Sequence, residues 1–242
     1  RHMRDIGVSY RVHGEARERP WPMSRLPLLI EESDWQAIVA GVTQRAAIME
    51  SLLADVYGPN KLVGEGVIPA AVVAGSQDYL RPLVGMNPPG GRWMHLYAAD
   101  IGRGPDGRWW VLGDRTQAPS GAGYALENRL VMARALPNAY RGLNVERVAP
   151  FFRALRSSLA DAAERSQPRI CLLTPGPYSE TYFEQAYLAR YLGFLLVEGD
   201  DLVGHNNLAH VRTIAGLKRA DVIWRRVDSA FIDPLELNWA SR

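Results

Sequence analysis

Gly113-Asp114-Arg115-Thr116-Gln117-Ala118-Pro119-Ser120-Gly121-Ala122-Gly123-Tyr124-Ala125-Leu126-Glu127-Asn128-Arg129 is the stretch on which the reading of this chain turns. It leaves an aromatic-rich segment, crosses a polar, glycine-rich loop and then takes up helical spacing. Upstream, Arg92 to Ile101 and Arg108 to Leu112 are rich in β-favouring residues. Gly102-Arg103-Gly104-Pro105-Asp106-Gly107 between them suits a hairpin connection. Downstream, Tyr124 to Leu136 is expected to be a helix closed by Pro137. The stretch thus joins a hairpin to a helix N-terminus, where side-chain carboxylates and backbone N–H groups can both be presented.

Asp100 and Asp114 fall near the same end of the two expected strands, so their carboxylates are expected to converge on one cation such as Mg²⁺. Gly121 and Gly123, just before the helix, offer N–H groups and a positive dipole end to an anion. Arg115 and Arg129 can complete a clamp for phosphate or carboxylate. Surface ion pairs, with a helix cap built on Ser120, account for the same letters. The string from Gly102 to Gly107 matches the dinucleotide-binding fingerprint letter by letter, but that fingerprint works where a strand turns into a helix. Here it joins two strands, so a hairpin turn is expected.

Working outward, residues 5 to 30 contain Arg19-Pro20-Trp21-Pro22 and read as an extended entry segment. Ser33 is a candidate N-cap for a helix carrying Trp35, Ile38, Val39, Val42, Ala46, Met49, Leu53 and Val56 at helical spacing, ended by Gly58-Pro59. Residues 60 to 85 suggest short helical or irregular pieces, and Asn87-Pro88-Pro89-Gly90-Gly91 is a breaker. A second amphipathic helix is expected over residues 148 to 165, with Val148, Phe151, Phe152, Leu155 and Leu159 on one face. The domain boundary is placed at Ser166-Gln167-Pro168, giving regions 1 to 166 and 167 to 242.

Beyond that boundary the pattern alternates. Ile170 to Leu173 is a buried strand, Ser179 to Leu192 a helix and Phe194 to Val197 a second strand, one βαβ unit. His210 to Ile214 and Asp221 to Arg225 supply further strands, so the fold class is mixed α/β. Glu198 ends the second strand where a ribose-binding acid would stand, but Pro175 and Pro177 remove N–H groups from the turn that would cradle a phosphate. A small acceptor held by Glu180, Tyr182 and Glu184 is one reading. A solvated helix face carrying Tyr182 and Glu184 is the other.

Composition narrows the classes. The 242 residues carry a net charge of +2, too small to imply a nucleic-acid partner. Lys61 and Lys218 are the only lysines, and the arginine excess reflects overall composition more simply than a binding role. Trp35, Trp93, Trp109 and Trp110 read as packing residues. The longest apolar run, Val67 to Ala74 with Pro69 inside it, falls short of the roughly 20 residues of a membrane span, so no membrane partner is expected. The lone Cys171 excludes an internal disulfide, and Arg1-His2-Met3-Arg4-Asp5 lacks the apolar core of a secretory signal. A cytoplasmic location is expected.

The stretch from Gly113 to Arg129 closely resembles the circularly permuted ATP-grasp family, type 2, related to glutathionylspermidine synthase. The likeness extends to Arg4-Asp5-Ile6-Gly7-Val8-Ser9-Tyr10, Leu53-Ala54-Asp55-Val56-Tyr57-Gly58, Asn87-Pro88-Pro89-Gly90-Gly91, Leu173-Thr174-Pro175-Gly176-Pro177-Tyr178 and Arg225-Arg226-Val227-Asp228. The resemblance implies a hairpin-and-helix metal-side region followed by a Rossmann-like pre-ATP-grasp domain, with the remaining grasp subdomain after residue 242. It implies an ATP- and Mg²⁺-dependent ligase that joins a carboxylate, activated as an acyl phosphate, to an amine; either substrate can be a small molecule or a peptide. Asp100 and Asp114 would hold the metal and Arg115 would stabilise the transferring phosphate. Arg129, with Ser120, Asn128 and the N–H groups of Gly121 and Gly123, would orient phosphate or substrate carboxylate. Arg225 and Arg226 would bind an acidic substrate group. Many members carry a Glu-x-Asn metal triplet where this chain has Gly113-Asp114-Arg115, and that departure supports an alternative, a non-catalytic scaffold that binds nucleotide or peptide.

Overall fold

The computed structural model describes residues 2 to 232 apart from residues 13, 14, 16, 25, 77, 229 and 230, so the last ten residues of the expected second region lie outside the described residues. The chain forms two compact units. One comprises Leu26–Pro119, the other Arg1–Arg25 together with Ser120–Arg242.

The first unit is built on the helix Glu32–Val56. It begins before Ser33, so that residue is not the cap; Glu31 flanks the helix and makes no side-chain cap bond. Glu32 and Asp34 instead place negative charge on the positive dipole end. At the other end a Cβ on Gly58 would lie 2.5 Å from the carbonyl oxygen of Ala54, so only glycine fits the turn. Of the expected apolar stripe only Ile38 and Val56 are buried. Short helices follow at Lys61–Gly64 and Ala70–Ala74, in the region read as broken pieces.

By length and composition this helix could cross a membrane, although its apolar residues are interrupted by polar ones rather than contiguous. Its mid-helix charges are spent within the unit, however. Arg45 pairs with Asp114, and Glu50 accepts the backbone N–H groups of Trp93 at 2.7 Å and Met94 at 2.9 Å. The Glu50 contacts also explain why the hairpin starts later than Arg92: those N–H groups are not available to a partner strand.

The hairpin pairs Ala98–Arg103 with Trp109–Arg115, antiparallel, with a bulge between Asp100 and Ile101. Gly107 has a φ of +79°, and a Cβ on Gly104 would meet the Asp106 carboxylate at 2.7 Å, so the glycines between the strands serve a tight turn, as expected. Asp34 fastens the hairpin to the long helix by accepting from the Trp109 indole N–H at 3.1 Å.

In the second unit a three-stranded parallel sheet has the order Val222–Arg225, Ile170–Leu173, Leu195–Val197. The alternation of side chains divides its two faces. Leu172 and Thr174 face the helix Tyr182–Leu192. Cys171, Leu173 and Val197 face Val211 and Ala220 on the other side, with Ile223 and Val227 packed against them. There the chain forms an antiparallel meander, Leu202–His205, Leu208–Thr213 and Gly216–Arg219. Only its middle strand was legible in sequence, because the first turn is made by Asn206 and Asn207 with positive φ and the outer strands are short and largely exposed.

The helix Ala149–Asp161 buries Phe152, Leu155 and Leu159 and ends earlier than residue 165. The compact units do not divide at residue 166. The helix Ala122–Ala135 belongs with the βαβ unit because it approaches Tyr182–Leu192 closely: a Cβ on Gly123 would stand 2.8 Å from Glu184 Cγ. The N-terminal segment also joins this unit. Ser9–Arg11 pairs with Glu18–Pro20, Val8 is buried, and the Tyr124 hydroxyl donates to the Ser9 carbonyl at 2.7 Å. Ring contacts run without a gap from Tyr10 through Trp21, Tyr124, Phe183, Tyr187, Tyr191 and Phe152 to Phe151, and Trp21 stacks on Tyr124 at 4.0 Å.

Candidate functional site

The two expected metal ligands lie on one hairpin but do not converge. Asp100 pairs in register with Gly113, so Gly113 shares its face and Asp114, the next residue, points to the other. Each carboxylate has its own arginine. Arg115 Nε donates to Asp100 at 2.9 Å and its Nη2 lies 2.8 Å away. Arg45 grips Asp114 through Nε and Nη2, and the Tyr97 hydroxyl donates to Asp114 as well. Hydrogen bonds from Arg45 and then Tyr97 hold the Asp114 carboxyl below the usual carboxylate range. No group of three His, Cys, Asp or Glu side chains suited to a metal ion occurs among the described residues. Asp100 and Asp114 therefore do not fit a shared Mg²⁺ ion in this arrangement.

The glycine turn has also found a partner. Gly121 adopts a φ of +115° at the start of the helix Ala122–Ala135, and Ser120 makes no capping bond. The N–H groups of Gly121 and Gly123 instead donate to one oxygen, Glu184 Oε1, at 2.7 and 2.9 Å. Glu184 belongs to the helix Tyr182–Leu192 and its side chain is 1% exposed. Arg226 Nη2 stands 3.6 Å from its other oxygen, Oε2, which accepts no hydrogen bond. Burial raises the Glu184 carboxyl above its ordinary value, and the charge of Arg226 pulls it back only in part. Burial likewise lowers the proton affinity of Arg226, which is 4% exposed.

Glu184 is thus neither on a solvated face nor open to an acceptor, and the two glycine N–H groups assigned to an incoming anion are held by the chain itself. Beside Glu184, Gln185 is buried and organises the turn after the central strand. It accepts from the Thr174 hydroxyl and donates through Nε2 to Ser179 and Thr181 at 3.0 and 3.1 Å. The Gly176 N–H donates to Thr174 Oγ1 at 3.1 Å, which completes a side-chain network in the loop whose prolines removed other donors. The sequence reading passed over Gln185. The available signal was two adjacent polar residues at positions that repeat, four residues on, as Leu188 and Ala189.

Arg225 and Arg226, expected to act together, face opposite sides of the parallel sheet. Arg225 pairs in register with Leu173 and shares its meander-side face, whereas Arg226 turns to Glu184 and Trp224. Arg225 is half-buried at the carboxyl end of its strand and has no side-chain partner among the described residues. Asn128 accepts from the Trp21 indole at 3.1 Å, so it fastens the N-terminal segment. Arg129 is half-buried on the same helix, with no partner among the described residues. The Glu180 carbonyl accepts from the Arg11 N–H, and Tyr182 is half-buried at the first turn of its helix.

A sequence model of circularly permuted ATP-grasp type 2 proteins matches residues 27 to 242. The chain belongs to this family. Among its relatives, uncharacterized protein Rv2567 of Mycobacterium tuberculosis is 44% identical over 92% of this chain and 26% of its own length. Uncharacterized protein Rv2411c of the same organism is 39% identical over 96% of this chain and 42% of its own. Uncharacterized protein sll0335 of Synechocystis is 36% identical over 95% and 49%. The chain therefore spans between a quarter and a half of the length of these relatives. Within the family frame, Glu184 and Arg226 are buried in the pairing just described, while of the arginines expected at the site Arg129 and Arg225 have no side-chain partner among the described residues.

Proposed function

We propose that the protein contributes the amine- or carboxylate-binding side of an ATP-dependent ligase of ATP-grasp type, acting in the cytoplasm through an acyl phosphate. Family membership over residues 27 to 242 carries this reading. Arg225, half-buried at the carboxyl edge of the parallel sheet and with no side-chain partner among the described residues, suits the acidic group of a substrate, since open α/β sheets bind ligands at that edge. Arg129, half-buried and likewise without a partner among the described residues, suits a phosphate or carboxylate. ATP and Mg²⁺ are the cofactors of the intact protein in this reading. No step is assigned to the ion through Asp100 and Asp114, which face apart.

The test is ADP release by the full-length protein with Mg-ATP and pools of amines and carboxylates, repeated with Arg225→Ala and Arg129→Ala. Turnover that falls at least tenfold in either variant, about 1.4 kcal/mol of transition-state stabilisation, is the expected outcome. Absence of ADP release from every pool would discard the ligase reading.

A second reading, a scaffold that binds nucleotide or peptide without turnover, is favoured by one observation: Asp100 and Asp114 are each neutralised by an arginine of the same chain. Calorimetric titration with Mg-ATP and with a non-hydrolysable analogue, followed by a phosphate-release assay, separates the two. Equal heats with no phosphate released identify the scaffold.

A further inference from the structure

Glu184 occupies the position an external oxyanion would take. Two convergent N–H groups, the positive end of a 14-residue helix and a buried guanidinium surround one carboxylate that the chain supplies itself. The occupant fits imperfectly. Only Oε1 is hydrogen-bonded, while Oε2 is buried, accepts nothing from the described residues and stands 3.6 Å from Arg226. A buried carboxylate with one unsatisfied oxygen is costly to keep charged. The raised proton affinity of Glu184 agrees with that cost. The turn is also open on one side: a Cβ on Gly121 would meet nothing within 4 Å, whereas Gly123 is closed by Glu184 and Leu188.

We propose that Gly121, Gly123 and Arg226 form an oxyanion site which the chain keeps filled with Glu184, and that a carboxylate or phosphate group binds the same three groups when Glu184 withdraws. The site recognises two oxygens on one centre, one for the paired N–H groups and one for the guanidinium. Substrate carboxylates and phosphoryl groups share that chemistry. The site differs from the Arg225 edge, because Arg225 and Arg226 face opposite sides of the sheet. It also stands independently of the ligase reading: anion binding is measured without turnover, so absence of ADP release leaves it intact, and absence of anion binding leaves the ligase reading intact.

The experiment uses the 242-residue chain, wild type and Glu184→Ala, titrated with sodium acetate and separately with sodium phosphate, against sodium chloride at matched ionic strength. The Gly121 and Gly123 amide resonances are followed, with the thermal midpoint in parallel. In the variant both amides are expected to move, with a dissociation constant at least about tenfold tighter than in wild type for one of the two anions, and Arg226→Met in that background is expected to abolish the response. Preference for acetate marks a carboxylate site, preference for phosphate a phosphoryl site. If Glu184→Ala does not fold, Glu184→Gln takes its place, since an uncharged occupant is more readily displaced than a carboxylate. Amides that stay still with both anions, or that respond equally to chloride, overturn the proposal.

Discussion

Each unit of the molecule contains an arginine–carboxylate pair that joins a helix to a β element, and the two pairs are electrostatic opposites. Arg45 and Asp114 meet where water has access, through two hydrogen bonds with a third from Tyr97, and the carboxyl is held below its ordinary range. Arg226 and Glu184 meet where water has none, 3.6 Å apart, and burial moves both partners toward their neutral forms. Good geometry in solvent stabilises the charged forms at little cost, whereas burial with imperfect geometry sets desolvation against attraction. Two similar contacts therefore stand in different relations to stability and to protonation.

The largest expected effect comes from breaking the buried pair. Arg226→Ala should destabilise the Glu184-containing unit by about 3–5 kcal/mol, because it leaves a buried carboxylate uncompensated. Chemical denaturation measures it. Glu184→Leu combined with Arg226→Met should cost clearly less than the single change, since neither charge is then stranded. Additive losses would mean that the two residues are not coupled. Asp114→Asn, by contrast, should change stability much less than Arg226→Ala does.

A smaller effect tests whether Glu184 is held by close helix packing. Gly123→Ala adds a methyl group 2.8 Å from Glu184 Cγ and 3.3 Å from Leu188 Cγ, and should destabilise by about 1–3 kcal/mol. Gly121→Ala meets no neighbour, so only its positive φ is strained, and it should be the milder of the two. The reverse order would place the crowding elsewhere.

The smallest effect is in pH dependence, where the two pairs should differ in sign. The folded-state proton affinity of Asp114 is lowered, so its contribution is present above the ordinary Asp range and is lost as pH falls. That of Glu184 is raised, so its contribution is present below the ordinary Glu range and is lost as pH rises through the elevated folded value. Wild type minus Asp114→Asn should therefore shrink on acidification, and wild type minus Glu184→Gln should shrink as pH rises. Slopes of equal sign in the two difference curves would remove the contrast.

Much of this fold could be read from the letters, and the site much less so. The strand Ile170–Leu173 is uniformly buried and has the bounds its apolar run suggested, and the helix spacing around Trp35 marked a real helix. The family resemblance read from Gly113 to Arg129 and its companion motifs agrees with the family match over residues 27 to 242. Two site expectations failed on the period of two. Asp100 and Asp114 sit near one end of one hairpin, and Arg225 and Arg226 are neighbours, yet in each case one residue of offset sends the side chains to opposite faces. The third was missed for another reason. Free N–H groups at Gly121 and Gly123 are a local inference, while Glu184, which fills them, lies about sixty residues away, and only tertiary packing brings it there.

The N-terminal strand bears on the order of events during synthesis. Ser9, Tyr10 and Trp21 leave the ribosome well before the groups that hold them, on Tyr124 and Asn128, which are made more than a hundred residues later. The unit Leu26–Pro119 lies wholly within that interval and can complete its own hairpin and long helix before the strand has anything to join. The contacts of this strand are therefore expected to form later than those of the unit Leu26–Pro119 that follows it in the chain, and pulse proteolysis of stalled chains should find the Trp21 region cleavable until Asn128 has emerged.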